Sequence, residues 1–436
     1  MGWVKMKLGD VLKNREGRFK PNNPTIANLK RIDKINFSGQ IFLSDKSSNT
    51  DMILIKKGDL VISGINVEKG ALTVYEGDED ILATIHYSSY IFDTSKIDID
   101  FLKVFLRSPD FVQLLKEQVP GGIKTEIKPK HILPLEVYFP ETTKEQKIIA
   151  EHFFEKEAKF NQLDEHISYQ LTQLDNLNQA ILQEAVQGKL VPQDPNDEPA
   201  SELLKRIKAE KAKSGKKEKP LPPIKPEEIP FEIPESWVCC RLGEIADIVR
   251  GGSPRPAGDK TYYDGDIPFL KVADLTAGNE VYLYEHTYTI KEAGLYKTRF
   301  VEANTLMLTN SGATLGYPKI CTFPTTFNDG IAAFLNLSED FDKVYLFYFL
   351  KSLTSWFLKV ASRGQGQPNL NTDIIGLTLF PIPPKEEQRR IVAEIEKQFA
   401  KTKQLKEHII ANQQATEQLL KALLHQAFEV REMETA

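Results

Sequence analysis

The segment LDEHISYQLTQLDNLNQAILQEA at residues 163–185 returns in altered form as LKEHIIANQQATEQLLKALLHQA at residues 405–427. The likeness extends further, because residues 131–186 align without a gap to residues 373–428 and share 16 identities. Trp3 and Trp237, each followed by a Leu-Gly-acid triplet, form a weaker repeat at the start of each half. The chain therefore contains an internal repeat, in the order globule, helix, globule, helix.

Both repeated segments predict long helices, because apolar side chains recur along them every three or four residues. Thr142 and Glu145 have the spacing of a capping box, and Gly188 is placed to end the first helix. One such stripe is equally well explained by packing inside a compact domain. Two homologous stripes of about 45 residues instead favour an antiparallel coiled coil across a pseudo-twofold axis. The candidate residues for helix pairing or subunit assembly are Leu163, Ile167, Leu174, Leu177, Ile181, Leu405, Ile409, Leu419 and Leu423.

The segments outside the helices predict an α+β fold for both globules. Short apolar runs bounded by turn residues predict strands, for example at Leu60–Ile62 and Leu306–Leu308. Phe101–Glu117 and Val344–Val360 have the pattern of one amphipathic helix each. We expect the following boundaries: globules at 1–140 and 235–383, spacer helices at 141–188 and 384–430, a connector at 189–234 and a tail at 431–436.

The connector combines proline-rich ends with a basic centre. Pro220–Pro234 contains six prolines, which favour extended polyproline conformation. Lys205–Lys219 carries eight basic residues against two acidic ones. Such a run binds DNA phosphates in some proteins, but a solvated helix face is the commoner explanation.

Composition is that of an ordinary globular protein, with 41% hydrophobic and 27% charged residues. No apolar run approaches the length of a membrane span, and no export signal is recognisable, so we expect a cytoplasmic protein. The net charge of −5 weighs against a uniformly basic nucleic-acid binder. Any contact with DNA must therefore use local patches, the bases themselves or a partner.

The motifs that would indicate catalysis are missing from the sequence. It contains no Walker A loop, no HExxH, no GxSxG and no Asn/Asp-Pro-Pro-aromatic signature of an amino-methyltransferase. Three cysteines without a CxxC spacing predict neither a zinc site nor a disulfide framework. We expect no catalytic residue and no metal ligand in this chain.

Polar, glycine-rich loops are the candidates for contact with nucleic acid, although each is also explained as an ordinary polar turn. Glycine lets backbone N–H groups approach phosphates, Asn and Gln pair with adenine, and Arg pairs with guanine. Gly364 matches Gly122 at the repeat distance of 242 residues, so the loops that follow occupy one slot with different side chains. The candidate DNA-binding residues are Lys124, Thr125, Lys128, Arg250, Ser253, Arg255, Asn310, Ser311, Thr314, Arg363, Gln365, Gln367 and Asn369.

Several segments together resemble the specificity subunits of type I restriction–modification enzymes. The second half carries Arg250-Gly-Gly-Ser-Pro254, Gln367-Pro-Asn-Leu-Asn371 and Phe380-Pro-Ile-Pro-Pro384, in the order found in target recognition domains of that family. Ile181–Gln193 is similar to the family's central conserved region. The first globule lacks the Gly-Gly-Ser-Pro loop, so the resemblance is weaker there.

This resemblance implies a DNA-binding subunit that is not itself an enzyme. Each target recognition domain would recognise one half of a bipartite double-stranded DNA target, with the paired helices holding the domains apart. Modification subunits would methylate adenine N6 with S-adenosylmethionine, and restriction subunits would use ATP and Mg²⁺ to translocate and cleave DNA. Those cofactors would belong to the partners. The alternatives are a coiled-coil scaffold that binds no DNA, and the recognition part of a fused methyltransferase or nuclease.

Overall fold

The computed structural model describes residues 2–46, 48–66, 69, 71–118, 126–213, 220–361 and 369–428. The chain divides into two compact units, one comprising Met1–Gln170 with His408–Ala436 and the other Leu171–Glu407. Two 44-residue helices each contribute to both units, since α4 spans Thr143–Val186 and α11 spans Lys385–Phe428.

The first unit contains three sheets and three short helices before α4. The sheet orders are β2-β10-β7-β8, β3-β6-β9-β4-β5 and β1-β11. Phe101, Phe105 and Phe139 are buried in its main core, which also includes Phe428 from α11. Its elements are β1 Trp3–Lys7, β2 Leu12–Asn14, β3 Arg18–Phe19, β4 Arg31–Ile35, β5 Ile41–Ser44, β6 Met52–Ile55, β7 Leu60–Ser63, β8 Leu72–Val74, β9 Ile81–Thr84, β10 Tyr87–Phe92, α1 Ile99–Leu106, α2 Pro109–Gln118, α3 Pro129–Ile132 and β11 Glu136–Pro140.

The second unit has the same kind of architecture, with sheets ordered β13-β21-β18-β19-β15, β16-β14-β20-β17 and β12-β22. Tyr345, Phe357 and Phe380 lie in its main core. Its elements are α5 Ala200–Lys213, β12 Val238–Arg241, α6 Leu242–Ile245, β13 Asp247–Arg250, β14 Tyr263–Leu270, α7 Val272–Thr276, β15 Tyr282–Leu283, β16 Tyr288–Ile290, β17 Arg299–Val301, β18 Thr305–Thr309, β19 Pro318–Cys321, β20 Thr325–Phe327, β21 Ile331–Leu335, α8 Lys343–Ser352, α9 Thr354–Ala361, α10 Thr372–Leu377 and β22 Leu379–Ile382.

The two globules repeat one strand topology, which extends the sequence repeat into segments without recognisable likeness. The order β2-β10-β7-β8 corresponds to β13-β21-β18-β19, and every pairing in both is antiparallel. The order β5-β4-β9-β6 corresponds to β16-β14-β20-β17, and in both the middle pair is parallel. The prediction of an α+β fold with two long helices is confirmed.

The gapless alignment is wrong by one residue before the helices. Leu8 N donates to Leu135 O and Leu242 N donates to Thr378 O, so Leu135 corresponds to Thr378 rather than to Leu377. Leu135 is buried, whereas Leu377 is exposed. The helices themselves keep the 242-residue spacing, so the first half has one more residue between its last strand and its helix.

Each predicted amphipathic helix of the globules is in fact two helices. The first divides between α1 and α2, where Pro109 supplies no N–H and Ser108 Oγ accepts a hydrogen bond from Phe111 N. The second divides at Leu353, where Thr354 Oγ1 donates to the carbonyl oxygens of Lys351 and Gly316. The helical spacing of apolar residues continues across both breaks, so the sequence pattern does not show where one helix ends and the next begins.

The ends of α4 confirm two sequence signals. Glu145 N donates to Thr142 Oγ1 at 3.3 Å, which is the first hydrogen bond of a capping box, and Thr142 Oγ1 donates to Glu145 Oε2 at 3.0 Å. Gly188 has a φ of +70°, and a Cβ there would lie 2.4 Å from Pro234 Cγ. The chain can turn out of the helix against the connector only because position 188 has no side chain.

The helices α4 and α11 run antiparallel within each unit. In the second unit Thr402 Oγ1 donates to Asn178 Oδ1 at 2.8 Å, and Lys406 Nζ lies 3.4 Å from Asp175. In the first unit Gln413 Nε2 donates to Asp164 Oδ1 at 2.8 Å. Residue numbers on one helix rise as their partners' numbers fall, so the pairing is antiparallel.

Candidate nucleic-acid interface

Three separate loops of the second unit meet at the turn formed by residues 328–330. Arg250, at the end of β13, donates from Nε to the backbone oxygen of Asp329 at 2.6 Å. Ser253 Oγ donates to the Asp329 carboxylate. The hydrogen bond from Ser253 lowers the pKa of Asp329, and the nearby Arg250 and Arg255 act in the same direction. The Gly-Gly-Ser-Pro loop is thereby fixed on the turn that follows β20.

Glycine is required in that loop because the backbones pack closely. A Cβ on Gly251 would lie 2.3 Å from Asn328 O, and one on Gly252 would lie 2.4 Å from Lys297 O. Both distances are too short for a real side chain without movement of the backbone. The two glycines therefore join the loop at 251–256 to the turn at 328–330 and to the segment around Lys297.

The other two loops join the same turn through backbone hydrogen bonds. Asn310 N donates to Gly330 O at 2.9 Å, and Leu370 N donates to Asn310 O at 2.7 Å. Ser311 and Asn369 form an isolated antiparallel bridge. The structure thus brings loops predicted from distant parts of the sequence to one edge of the second globule. We name this set the polar turn cluster: Arg250, Ser253, Asn310, Ser311, Asn328, Asp329 and Asn369.

Asn310 is an unusual member of the polar turn cluster. Its side chain is fully buried, yet neither its amide oxygen nor its amide nitrogen has a hydrogen-bond partner in the part of the chain that the structure describes. A buried amide without partners costs about 1–3 kcal/mol, so such groups call for an explanation at each occurrence. Here the group lies where the three loops meet.

The corresponding edge of the first unit has the same backbone arrangement with other side chains. Ile127 N donates to Gly64 O at 2.7 Å, directly after β7, as Leu370 N bonds to Asn310 after β18. Lys128 Nζ lies 3.2 Å from Glu126, whose other carboxylate oxygen lies 3.0 Å from His86 Nδ1. Lys128 is about half exposed. The two units thus share the backbone arrangement at this edge, whereas the side chains placed there differ.

The remaining predicted DNA-binding residues have less defined places. The Arg255 carbonyl accepts a hydrogen bond from Lys297 Nζ at 2.9 Å, and the Thr314 carbonyl accepts one from Thr309 Oγ1 at 2.7 Å. The side chain of Thr314 is exposed and is not among the hydrogen-bonded groups of the cluster. Lys124, Thr125, Arg363, Gln365 and Gln367 lie outside the described residues.

The residues that hold the loops together were not among those predicted from the sequence. Asn328-Asp329-Gly330 follows a strand and has the composition of a tight turn, so turn chemistry was the available signal. Lys297 and Arg299 belong to no recognisable motif, and their position in the sequence does not predict that they lie near Arg250.

The predicted helix-pairing residues fall into two groups. Ile167, Leu174 and Ile181 are buried at seven-residue intervals on α4, and Ile409 is buried on α11. Leu423 is half-buried. Leu163, Leu177, Leu405 and Leu419 are 44%, 47%, 49% and 53% exposed. A stripe that repeats every three or four residues is wider than the seam between two helices, so its outer members remain at the surface.

The basic centre of the connector packs through its apolar face. Leu203 and Ile207 of α5 are buried in the core of the second unit, while Lys208 lies 2.6 Å from Glu244 and Arg206 lies 2.7 Å from Glu198. These contacts favour the solvated helix face over a DNA-binding segment for the described residues 205–213. Among all described residues, no helix is long and apolar enough to cross a membrane, and no group of His, Cys, Asp or Glu could hold a metal ion.

Comparison with a family model places the polar turn cluster inside a known domain. Residues 234–413 match the model described as the type I restriction modification DNA specificity domain. Every member of the polar turn cluster lies within the matched segment.

Individual relatives agree with the family match and confirm the resemblance to type I specificity subunits. The EcoAI specificity subunit of Escherichia coli is 34% identical over 249 residues, which are 53% of this chain and 41% of that protein. The EcoEI specificity subunit of E. coli is 33% identical over 63% of this chain and 48% of that protein. The matched segments thus span less than half of these two relatives. The HindI specificity subunit of Haemophilus influenzae is 23% identical over 91% of this chain and 94% of that protein.

Solved structures share the fold over nearly the whole chain. The crystal structure of the HsdS subunit from Thermoanaerobacter tengcongensis has a TM-score of 0.52, with 18% identity, and covers 98% of this chain and 97% of that one. A chain from a structure on complex assembly and conformational transition of the type I R-M system has a TM-score of 0.64, with 18% identity, and covers 98% of both chains. At this identity the comparison establishes the fold alone.

Proposed function

We propose that this chain is the DNA specificity subunit of a type I restriction–modification enzyme. The observation that carries the proposal is the polar turn cluster, in which loops from three parts of the chain present Asn, Ser and Arg groups at one edge of the specificity domain. These groups are the usual partners of base edges and phosphates.

The duplicated globule supports a bipartite target. Both units share one strand topology and one backbone slot, but the second places Ser311 and Asn369 there and the first places Glu126 and Lys128. Two related domains with different side chains would recognise two different half-sites. We propose the target recognition domains at 1–140 and 235–383, with the helices and the connector between them.

The partners and cofactors follow from the proposed role. Modification subunits would supply S-adenosylmethionine chemistry, and restriction subunits would supply ATP- and Mg²⁺-dependent translocation and cleavage of double-stranded DNA. The chain itself would be non-catalytic, would hold no cofactor and would act in the cytoplasm in defence against foreign DNA. The exposed Leu163, Leu177, Leu405 and Leu419 are among the apolar side chains that the helices leave available for assembly.

Methylation mapping tests the proposal directly. Genomic DNA of the host, sequenced by a method that detects N6-methyladenine, should show methylation at a bipartite motif, and deletion of this gene should abolish that methylation. Expression of this chain with the host's modification subunits in an unmethylated strain should restore the motif. Methylation that persists after deletion would contradict the proposal, as would a purified chain that methylates or cleaves DNA alone.

A further inference from the structure

A cluster of cations and two tyrosine rings, one half-buried and one exposed, lies beside the polar turn cluster in the second unit. Lys297 Nζ lies 3.9 Å from the centre of the Tyr262 ring and 5.5 Å from that of Tyr296, and it donates to Arg255 O. Arg299 Nε donates to Arg250 O at 2.7 Å. We name Arg250, Arg255, Tyr262, Tyr296, Lys297 and Arg299 the cation–aromatic patch. Its members lie on β13, on the loop after it, and around the start of β17.

The cations of this patch form no direct ion pair within the described part of the chain. The side chains of Arg250, Lys297 and Arg299 donate instead to backbone oxygens. Asp329 is the acidic residue of the neighbouring turn, and it accepts from Ser253. Asp259 is a second carboxylate near Lys297. Four cations beside two carboxylates still leave a local positive charge on a globule whose overall balance is acidic.

The first unit provides an internal comparison. Near its β3 and β6, Arg18 and Lys20 lie 2.8 Å and 3.3 Å from the same carboxylate, that of Asp51. Arg15 forms an ion pair with the buried Asp59. Arg15, Arg18 and Lys20 of the first globule are thus paired with acids, whereas the four cations of the patch have no such pair in the described residues.

The aromatic rings indicate what the cations bind. Tyr296 is 76% exposed, and it stands next to Lys297 on the same segment. A free-standing ring beside unpaired cations suits a nucleic-acid strand, whose phosphates attract the cations while its sugars and bases pack against the ring. An acidic protein surface, as the alternative ligand, would be attracted by the cations and would not need an exposed aromatic ring.

We infer that the cation–aromatic patch binds the phosphodiester backbone of the DNA next to the half-site recognised by the polar turn cluster. This inference rests on the proposed function. It divides one edge of the domain into two tasks: the patch contributes affinity without regard to sequence, and the cluster contributes discrimination between bases. Lys297 and Arg299 would each contact one phosphate.

The test measures DNA binding by the full chain, purified with its modification subunits, over a salt series. The probes are a duplex carrying the methylation-mapped motif and a scrambled duplex of equal length. The variant K297M/R299M should weaken binding to both duplexes by the same factor. It should also reduce the slope of log affinity against log salt concentration by about two, since each phosphate contact contributes about 0.9.

Matched variants separate charge from folding. Lys343 lies at the opposite end of β18 from Asn310, where its Nζ donates to Asn304 O, so K343M should leave both affinity and slope unchanged. K297R keeps the charge and should keep the slope. Y296A removes an exposed ring without disturbing the core, and should weaken binding to both duplexes with little change in slope.

The outcomes distinguish the patch from the proposed function. A loss of affinity confined to the motif duplex, or an unchanged salt slope, in K297M/R299M would contradict binding of phosphates by the patch. The proposed function would still stand if the wild-type complex prefers the motif duplex. A wild-type complex with no preference for the motif duplex would overturn the proposed function, whatever the patch variants did.

Discussion

Asn369 lies on the loop that bridges to Ser311, and its exposed side chain is the described member of the predicted Gln-rich recognition loop. Replacement by alanine should relax the bases accepted at one position of one half-site, at a cost of about 1–3 kcal/mol in discrimination if a bidentate contact is lost. Methylation mapping in cells carrying N369A with the modification subunits measures the motif. Asn279 is exposed and lies outside the polar turn cluster, so N279A serves as the control. A uniform loss at both half-sites would point instead to misfolding.

Glu387 is a buried carboxylic acid at the start of α11. Trp237 Nε1 donates to it at 3.0 Å and Gln193 Nε2 at 2.7 Å, which ties the connector to the helix. Burial raises the pKa of Glu387 above its ordinary value, despite both hydrogen bonds. The protonated form is therefore favoured by folding, and the stability it contributes is present below about pH 4.3 and lost as the pH rises through the raised pKa.

The variant E387Q should therefore lack the part of the pH dependence of the unfolding free energy that comes from Glu387. The unfolding free energy of the wild type minus that of E387Q should fall as the pH rises from 4 to 7. Urea unfolding followed by tryptophan fluorescence measures it, because Trp237 reports on the site. E417Q, which neutralises an exposed residue of the same helix, should follow the wild type. Parallel curves for the wild type and E387Q would show that this carboxyl group does not titrate abnormally.

At the scale of elements, one glutamine in each half joins the globule to its long helix. Gln146 Oε1 accepts from Asp98 N at 2.7 Å, and Gln146 Nε2 donates to Pro140 O at 2.9 Å. Gln388 makes the same pair of bonds, with Asp342 N and Pro383 O, each at 3.0 Å. Both glutamines are fully buried. The identity seen in the sequence therefore marks a shared joint between strand, helix and globule.

Removal of either side chain should destabilise its own unit. Q146A and Q388A each leave a buried backbone N–H and a carbonyl oxygen without partners, at a cost of about 1–3 kcal/mol in unfolding free energy. Hydrogen exchange resolves which unit is affected: exchange should speed up near Asp98 in one variant and near Asp342 in the other. Q414A removes an exposed glutamine from the same helix as Gln388 and should have no effect. Equal acceleration in both units would contradict a local joint.

Sequence reasoning worked best for elements whose pattern is local. The long helices, the cap at Thr142 and the ending at Gly188 were predicted because each depends on neighbours within one or two turns. The one-residue shift before α11 was invisible, because Leu377 fits the pattern of Leu135 by chance. In the candidate site, the loops at Arg250, Asn310 and Asn369 were predicted from composition, whereas Lys297 and Asp329 join them only through folding.

At the scale of the whole molecule, the helices offer a test of target geometry. The resemblance to specificity subunits implies that they hold two recognition domains at a fixed separation. Duplicating residues 164–170 after Gln170 and residues 401–407 after Glu407 adds seven residues to each helix. Buried positions on α4 already recur every seven residues, so the seam stays in phase.

The duplication should lengthen the unrecognised gap of the DNA target and leave both half-sites unchanged. Seven residues add about 10 Å to a helix, which corresponds to about three base pairs. Methylation mapping reads out the new gap. Insertion of two residues into each helix turns the apolar faces away from each other and should abolish activity. An active seven-residue variant that still methylates the original spacing would show that the helices do not set the gap.

The pairing of the first and last strand in each globule has a consequence for how the gene can evolve by recombination. Trp3 lies opposite Pro140, and Val238 lies opposite Ile382, so each globule begins and ends at adjacent points. A crossover pair in the gene, placed at those two strands, would exchange an entire domain and leave the helix with its glutamine in place. The joint could then re-form with backbone groups of the incoming domain. If the proposed function holds, a new specificity would therefore arise by recombination in one step, without a series of intermediates that each recognise DNA poorly.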